Sequence, residues 1–123
     1  MGMGKFEDAP KELQDGIAEF WPSTEWDNAA AVAELESGWS AFSVADTRSQ
    51  EHPCGSVLSS HGGVHVAAEY SIGWFQINAC NLPADWVPEN LFNTRHNCGT
   101  AHALWVERGW QPWFFSATKL GLI

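Results

Sequence analysis

The chain has 123 residues, with six basic side chains against fifteen acidic ones. That length suits a single domain spanning residues 1–123, able to bury roughly two-thirds of the surface its unfolded form exposes. The acidic balance leaves no basic stripe to neutralise phosphates, which argues against nucleic-acid binding, and no run of about eighteen apolar residues offers a membrane span.

The opening MGMGKFEDAP has neither an apolar run nor a cleavage site, so no secretory signal is expected and localisation stays open. Pro10 suits a first helical turn, and Leu13, Ile17, Phe20 and Trp21 follow on one helical face. This predicts an amphipathic helix of about ten residues, ended by Pro22. STEWDNAAAVAELESGW predicts the second helix. Thr24 and Asp27 match a capping box ahead of an alanine-rich run, and Gly38 is the stop.

Residues 43–72 are rich in Ser, His, Gly and Asp, with short β-friendly pieces such as GVHV, and predict loops with a small hairpin. LFNTRHNCGTAHALWVERGW predicts the last clear helix. Asn93 is its N-cap, Cys98, Ala101 and Trp105 its inner stripe, and Gly109 its end. The tail QPWFFSATKLGLI is expected to wrap back onto the core. The predicted fold class is therefore mainly α, an α+β arrangement of helices around a small β region.

Projected at a hundred degrees per residue, the second helix gathers Trp26, Ala29, Ala30 and Ala33 on one side, with Val32 at its margin. Asp27 and Glu34 fall on the opposite, wet side. Glu36 falls between Ala29 and Val32, on the apolar side of the last turn. A carboxylate there is partly desolvated and close to the negative end of the helix dipole, and both effects raise its pKa. A carboxyl that keeps its proton near neutral pH is what a general acid requires. The plainer alternative is a glutamate that frays into solvent at a helix end.

ELESGW followed, after a loop-rich insert, by GWFQIN resembles the lysozyme-like superfamily, in particular soluble lytic transglycosylase and goose-type lysozyme domains. The segment LFNTRHNCGTAHALWVERGWQPW continues the likeness, so that it covers residues 30–115. The resemblance implies a helical domain with a β region forming one wall of a sugar cleft, and cleavage of peptidoglycan between N-acetylmuramic acid and N-acetylglucosamine. It implies that Glu36 is the catalytic acid and that Ser37 orients local backbone. Gly73 would let the chain approach the sugar, with Gln76 and Asn78 offering hydrogen bonds from the cleft wall. For Gln76, a buried amide tying strand to helix is an equal alternative. Asn97 matches a position that ties the last helix to the cleft floor. Trp39, Trp74 and Trp110 are candidates to stack on sugar faces. Phage wall-degrading relatives often carry a histidine after the position of Asn78, where this chain reads ACNLPADW.

Glycoside cleavage usually uses two carboxyl groups. Glu69, just before the Gly73–Gln76 stretch, is the candidate second carboxylate, with Asp46 a weaker one. In lytic transglycosylases a single glutamate acts as acid and then as base, so the resemblance leaves hydrolysis and transglycosylation both open. Other readings are a non-catalytic wall-binding or structural module of the same fold and a chitinase-like glycosidase. The acidic charge offers no steering toward an anionic wall, which suits a domain delivered by a larger assembly such as a phage particle.

His52, Cys54, His61 and His65 are all zinc-binding types, but their spacing matches no familiar pattern and Gly62-Gly63 would leave the loop mobile, so neither metal nor cofactor is expected. His96 and His102 read as exposed helix residues. Among Cys54, Cys80 and Cys98, three reduced thiols are at least as plausible as a disulfide, and if one forms, loop length favours the Cys80–Cys98 pair.

Overall fold

The computed structural model describes residues 5–61, 63–83 and 85–123. Helix α1 runs from Lys11 to Phe20, α2 from Trp26 to Ser37, α3 from Thr94 to Arg108 and α4 from Phe114 to Leu120. Between α2 and α3 lie five short strands: β1 (Val44–Asp46), β2 (Val57–His61), β3 (Val64–Ala67), β4 (Tyr70–Ile72) and β5 (Ile77–Asn78). The fold is mixed α+β.

Helix α1 follows its predicted stripe, with Leu13 and Ile17 fully buried and Trp21 closing it just before Pro22. Gly16 lies where a β-carbon would stand 2.6 Å from the Cys98 sulfur of α3. The missing side chain is what lets these two helices approach so closely.

Helix α2 departs from its predicted amphipathicity. Ala29, Ala30, Ala31, Val32 and Ala33 are all buried, because α1, α4 and the turn at Phe6–Asp8 pack around it. A helix of small residues surrounded in this way is a central core element rather than a surface one. The capping box does not form. Ser23–Glu25 make a 3₁₀ turn, no side chain caps the helix, and the Asp27 carboxylate instead accepts the backbone N–H of Phe6 at 3.0 Å. At the other end Gly38 adopts φ +63° and donates its N–H to the Glu34 carbonyl, the expected left-handed stop.

One antiparallel sheet has the order β1-β4-β5, pairing Val44 with Ile72 and Ser71 with Asn78. The other is the β2–β3 hairpin, irregular between Val57 and Ser59. The expectation of a mobile Gly62-Gly63 loop falls on Gly62, which lies outside the described residues.

Helix α3 keeps its predicted signals. The Asn93 side chain accepts the His96 N–H at 3.1 Å, Cys98 and Ala101 are buried, and Gly109 ends the helix. His102 is not exposed as expected. It is half-buried against Phe20, Trp21 and Trp105. The tail returns to the core as α4, packed against α2, with Trp113 and Ala117 buried.

The predicted Cys80–Cys98 pair is corrected. Cys54 bonds Cys80, joining the segment before β2 to the turn after β5. Cys98 is a free thiol enclosed between α1 and α3, and burial pushes it up to about 12. Loop length alone ignores that an inward-facing helical position holds Cys98 away from the β region.

Candidate active site

The turn Gly73–Gln76, which joins β4 to β5, is the frame of the site. Its two aromatic residues point inward, Trp74 at 4% exposure and Phe75 fully buried. The Trp74 indole and both backbone groups of Phe75 are paired. The Asn97 side chain accepts the Phe75 N–H at 3.1 Å and donates to the carbonyls of Ile72 and Leu91, both at 2.9 Å. Trp113 donates its indole N–H to the Phe75 carbonyl at 2.9 Å, and Trp74 donates to the Thr94 hydroxyl at 3.0 Å. Asn97 thus ties α3 to the turn.

Gly73 is buried with φ +81°, and a β-carbon there would stand 2.4 Å from Asn97 Nδ2 and 2.7 Å from the Leu91 carbonyl. The close approach that demands glycine is therefore to the protein's own α3 region, not to a sugar. Trp74 is likewise corrected. With its ring enclosed and its N–H spent on Thr94, no face remains for stacking, and Trp110 is also buried. Trp39 alone of the three candidates is half-buried, with its indole N–H on the Ala30 carbonyl at 2.9 Å.

The Gln76 amide nitrogen donates to the carbonyls of Ser43 and Gly73, at 3.0 and 3.1 Å. The Asn78 carbonyl oxygen accepts the N–H of Cys80 at 3.0 Å and of Tyr70 at 3.4 Å. Each amide therefore gives one half to the frame. The alternative for Gln76, a buried amide tying strand to helix, is corrected, because its nitrogen ties the turn to itself and to the segment before β1.

Glu36 lies in the last turn of α2, half-buried, as projected. Ser116 of α4 donates its hydroxyl to Glu36 Oε2 at 2.5 Å. Burial raises the Glu36 pKa, the Ser116 bond opposes that rise, and the charge of Glu69 adds to it. Ser37 shapes the backbone here, donating to the Ala33 carbonyl at 3.0 Å and accepting the Ser40 N–H at 3.2 Å. Nothing in the sequence marks Ser116, which lies eighty residues from Glu36 in a tail without a motif.

Glu69 is half-buried just before β4. Its backbone pairs with Thr47, and Ser71 donates to its Oε2 at 2.5 Å. The structure brings Glu36 and Glu69 into electrostatic reach of each other. Asp46 is engaged elsewhere. Arg48 grips both of its oxygens, at 2.9 and 2.7 Å, and holds the carboxyl down at about 2.

Among the described residues, the only non-glycine residues with positive φ are Trp39 at +61° and Gln76 at +48°. One follows Glu36 by three positions and the other closes the Gly73 turn. Such conformations cost about 1–3 kcal/mol each and concentrate at functional sites. Two concavities lie elsewhere: a groove of about 480 Å³ along α3, lined by Phe20, Trp86 and His96, and a recess of about 290 Å³ beside Phe6 and Trp26. Neither includes Glu36.

Cys54, expected among the zinc-binding types, is committed to its disulfide. Among the described residues no helix is long and apolar enough to cross a membrane. No protein-family model, curated protein or solved structure matches the chain.

Proposed function

We propose that this chain is a lysozyme-like domain that cleaves peptidoglycan glycan strands between N-acetylmuramic acid and N-acetylglucosamine, with Glu36 as general acid. The observation that carries this reading is the Glu36 carboxyl itself. It is half-buried at the end of the central helix and anchored by Ser116, and burial, with the charge of Glu69, raises its pKa against the opposing pull of the Ser116 bond. A carboxyl so placed can protonate the oxygen of the scissile glycosidic bond as the bond to the anomeric carbon breaks.

Glu36, left as a carboxylate, then acts as a base. On the transglycosylase reading it removes the proton of the muramic acid 6-hydroxyl, and that oxygen closes onto the anomeric carbon to leave a 1,6-anhydro end. A second reading, muramidase-type hydrolysis, is favoured by one observation. Glu69 is a second carboxylate within reach of the first, suited to stabilise the developing cation or to direct a water. The Cys54–Cys80 bridge supports a site of action in an oxidising compartment, where the cell wall lies.

Mass analysis of the products from purified peptidoglycan tests the proposal. Muropeptides cut after muramic acid are expected from the wild-type chain, and none from Glu36→Gln. Intact glycan strands after prolonged incubation would remove the reading in favour of a non-catalytic wall-binding module.

A further inference from the structure

We propose that Ser116 is the positioning residue for Glu36: its hydroxyl, carried in by α4, fixes the carboxyl in the orientation from which the proton is delivered. The inference rests on the glycosidase reading for its catalytic meaning, but the contact itself does not.

The geometry is specific. Ser116 is 7% exposed, so the donor end of its 2.5 Å bond to Glu36 Oε2 is buried. Among the described residues Oε1 has no hydrogen-bonding partner, so the serine engages one oxygen and leaves the other to act. The terminal torsion of a glutamate is broad, and without an anchor the carboxyl turns freely. A bond to one oxygen removes that freedom before substrate arrives, which is how a site gains from orientation.

The tail is built to hold the hydroxyl there. Trp113 is pinned by its indole to the Phe75 carbonyl, Ala117 is fully buried, and the Leu122 N–H returns to the Ala117 carbonyl at 2.8 Å. The Gly73–Gln76 turn is thus hydrogen-bonded to the residue just before α4, three positions ahead of Ser116. Among the described residues, the charge that reaches Glu36 from the neighbouring elements is that of Glu69.

Ser116→Ala and Ser116→Thr test this, by ¹³C NMR titration of the Glu36 carboxyl and by the pH profile of kcat on purified peptidoglycan. A hydroxyl donated to a carboxylate favours its ionised form, so its loss moves the Glu36 midpoint upward. Ser116→Ala is expected to raise that midpoint, to shift the alkaline limb of kcat the same way, and to lower kcat about 10–100-fold with KM unchanged. Ser116→Thr, which keeps the hydroxyl, is expected to restore the midpoint and the limb. Simple loosening of the fold would instead bring Glu36 down toward its ordinary 4.5. That downward movement, or an unchanged titration and kcat in Ser116→Ala, overturns the inference. Should the alanine variant unfold, Ser116→Cys keeps the volume with a weaker donor and is expected to move the midpoint in the same direction. A wild-type chain inert on peptidoglycan whose Glu36 titration still answers to Ser116 removes the glycosidase reading and leaves the Ser116–Glu36 clamp standing.

Discussion

The charge of Glu69, carried just before β4, reaches Glu36 at the end of α2 and makes its proton harder to lose. Two carboxyl groups far apart in sequence thus share one electrostatic environment. Each is gripped by a serine, Ser116 for Glu36 and Ser71 for Glu69, both at 2.5 Å.

Glu36→Gln is expected to lower the rate of glycan cleavage by about 10²–10⁴-fold, because it removes a positioned acid. Its stability has a definite sign as well. Glu36 is raised above its ordinary 4.5. The stability associated with its folded-state proton is therefore complete below that value and lost as the pH rises through the raised one. Glutamine carries no such penalty. Thermal unfolding should show the variant matching the wild type in acid and exceeding it near neutral pH. Retention of more than half the wild-type rate would place the acid elsewhere.

Glu69→Gln separates the two reaction classes. Removing its charge should lower the Glu36 midpoint in either case, read by NMR titration. If Glu36 works alone, the rate should fall less than tenfold, about 1.4 kcal/mol in the barrier, and products should end in 1,6-anhydromuramic acid. That is the expected outcome. A dead variant, with reducing ends in the wild-type products, would assign hydrolysis with Glu69 as the second catalytic carboxylate.

Asn97→Leu should destabilise the chain by about 3–5 kcal/mol. It strands the Phe75 N–H and two buried carbonyls, each unmet group costing about 1–3 kcal/mol. Gly73→Ala should be of similar severity, because its β-carbon meets the Leu91 backbone at 2.7 Å and the Asn97 amide at 2.4 Å. Urea unfolding at neutral pH measures both, and a loss below about 1 kcal/mol for either would contradict the role assigned to the turn.

Reduction should separate the three cysteines. Opening Cys54–Cys80, which spans 26 residues, is expected to cost about 3.5 kcal/mol through restored chain entropy. Cys98, enclosed and pushed up to about 12, should resist alkylation in the native chain and react only on unfolding. Rapid native labelling of Cys98 would contradict the close α1–α3 packing.

Local rules were enough wherever a feature depends on near neighbours in the chain. The 3.6-residue period and Pro22 determine α1, Asn93 and Gly109 bound α3, and Gly38 stops α2 because only a left-handed residue closes that turn. Glu36 on the inner side of α2 is equally a matter of helical angle. What only the tertiary structure decided depends on residues brought from afar. The tail surrounds α2 and delivers Ser116, so a helix projected with a wet face is buried all round at its centre. Asn97 and Leu91 press on Gly73, which makes it a packing glycine instead of a sugar-facing one. Thr94 takes the Trp74 indole, turning a candidate stacking platform into core, and the β region brings Cys54 rather than Cys98 to Cys80. The pattern of a sequence records which side of an element is apolar, but not which distant group fills the space beside it. That choice is made by three-dimensional packing.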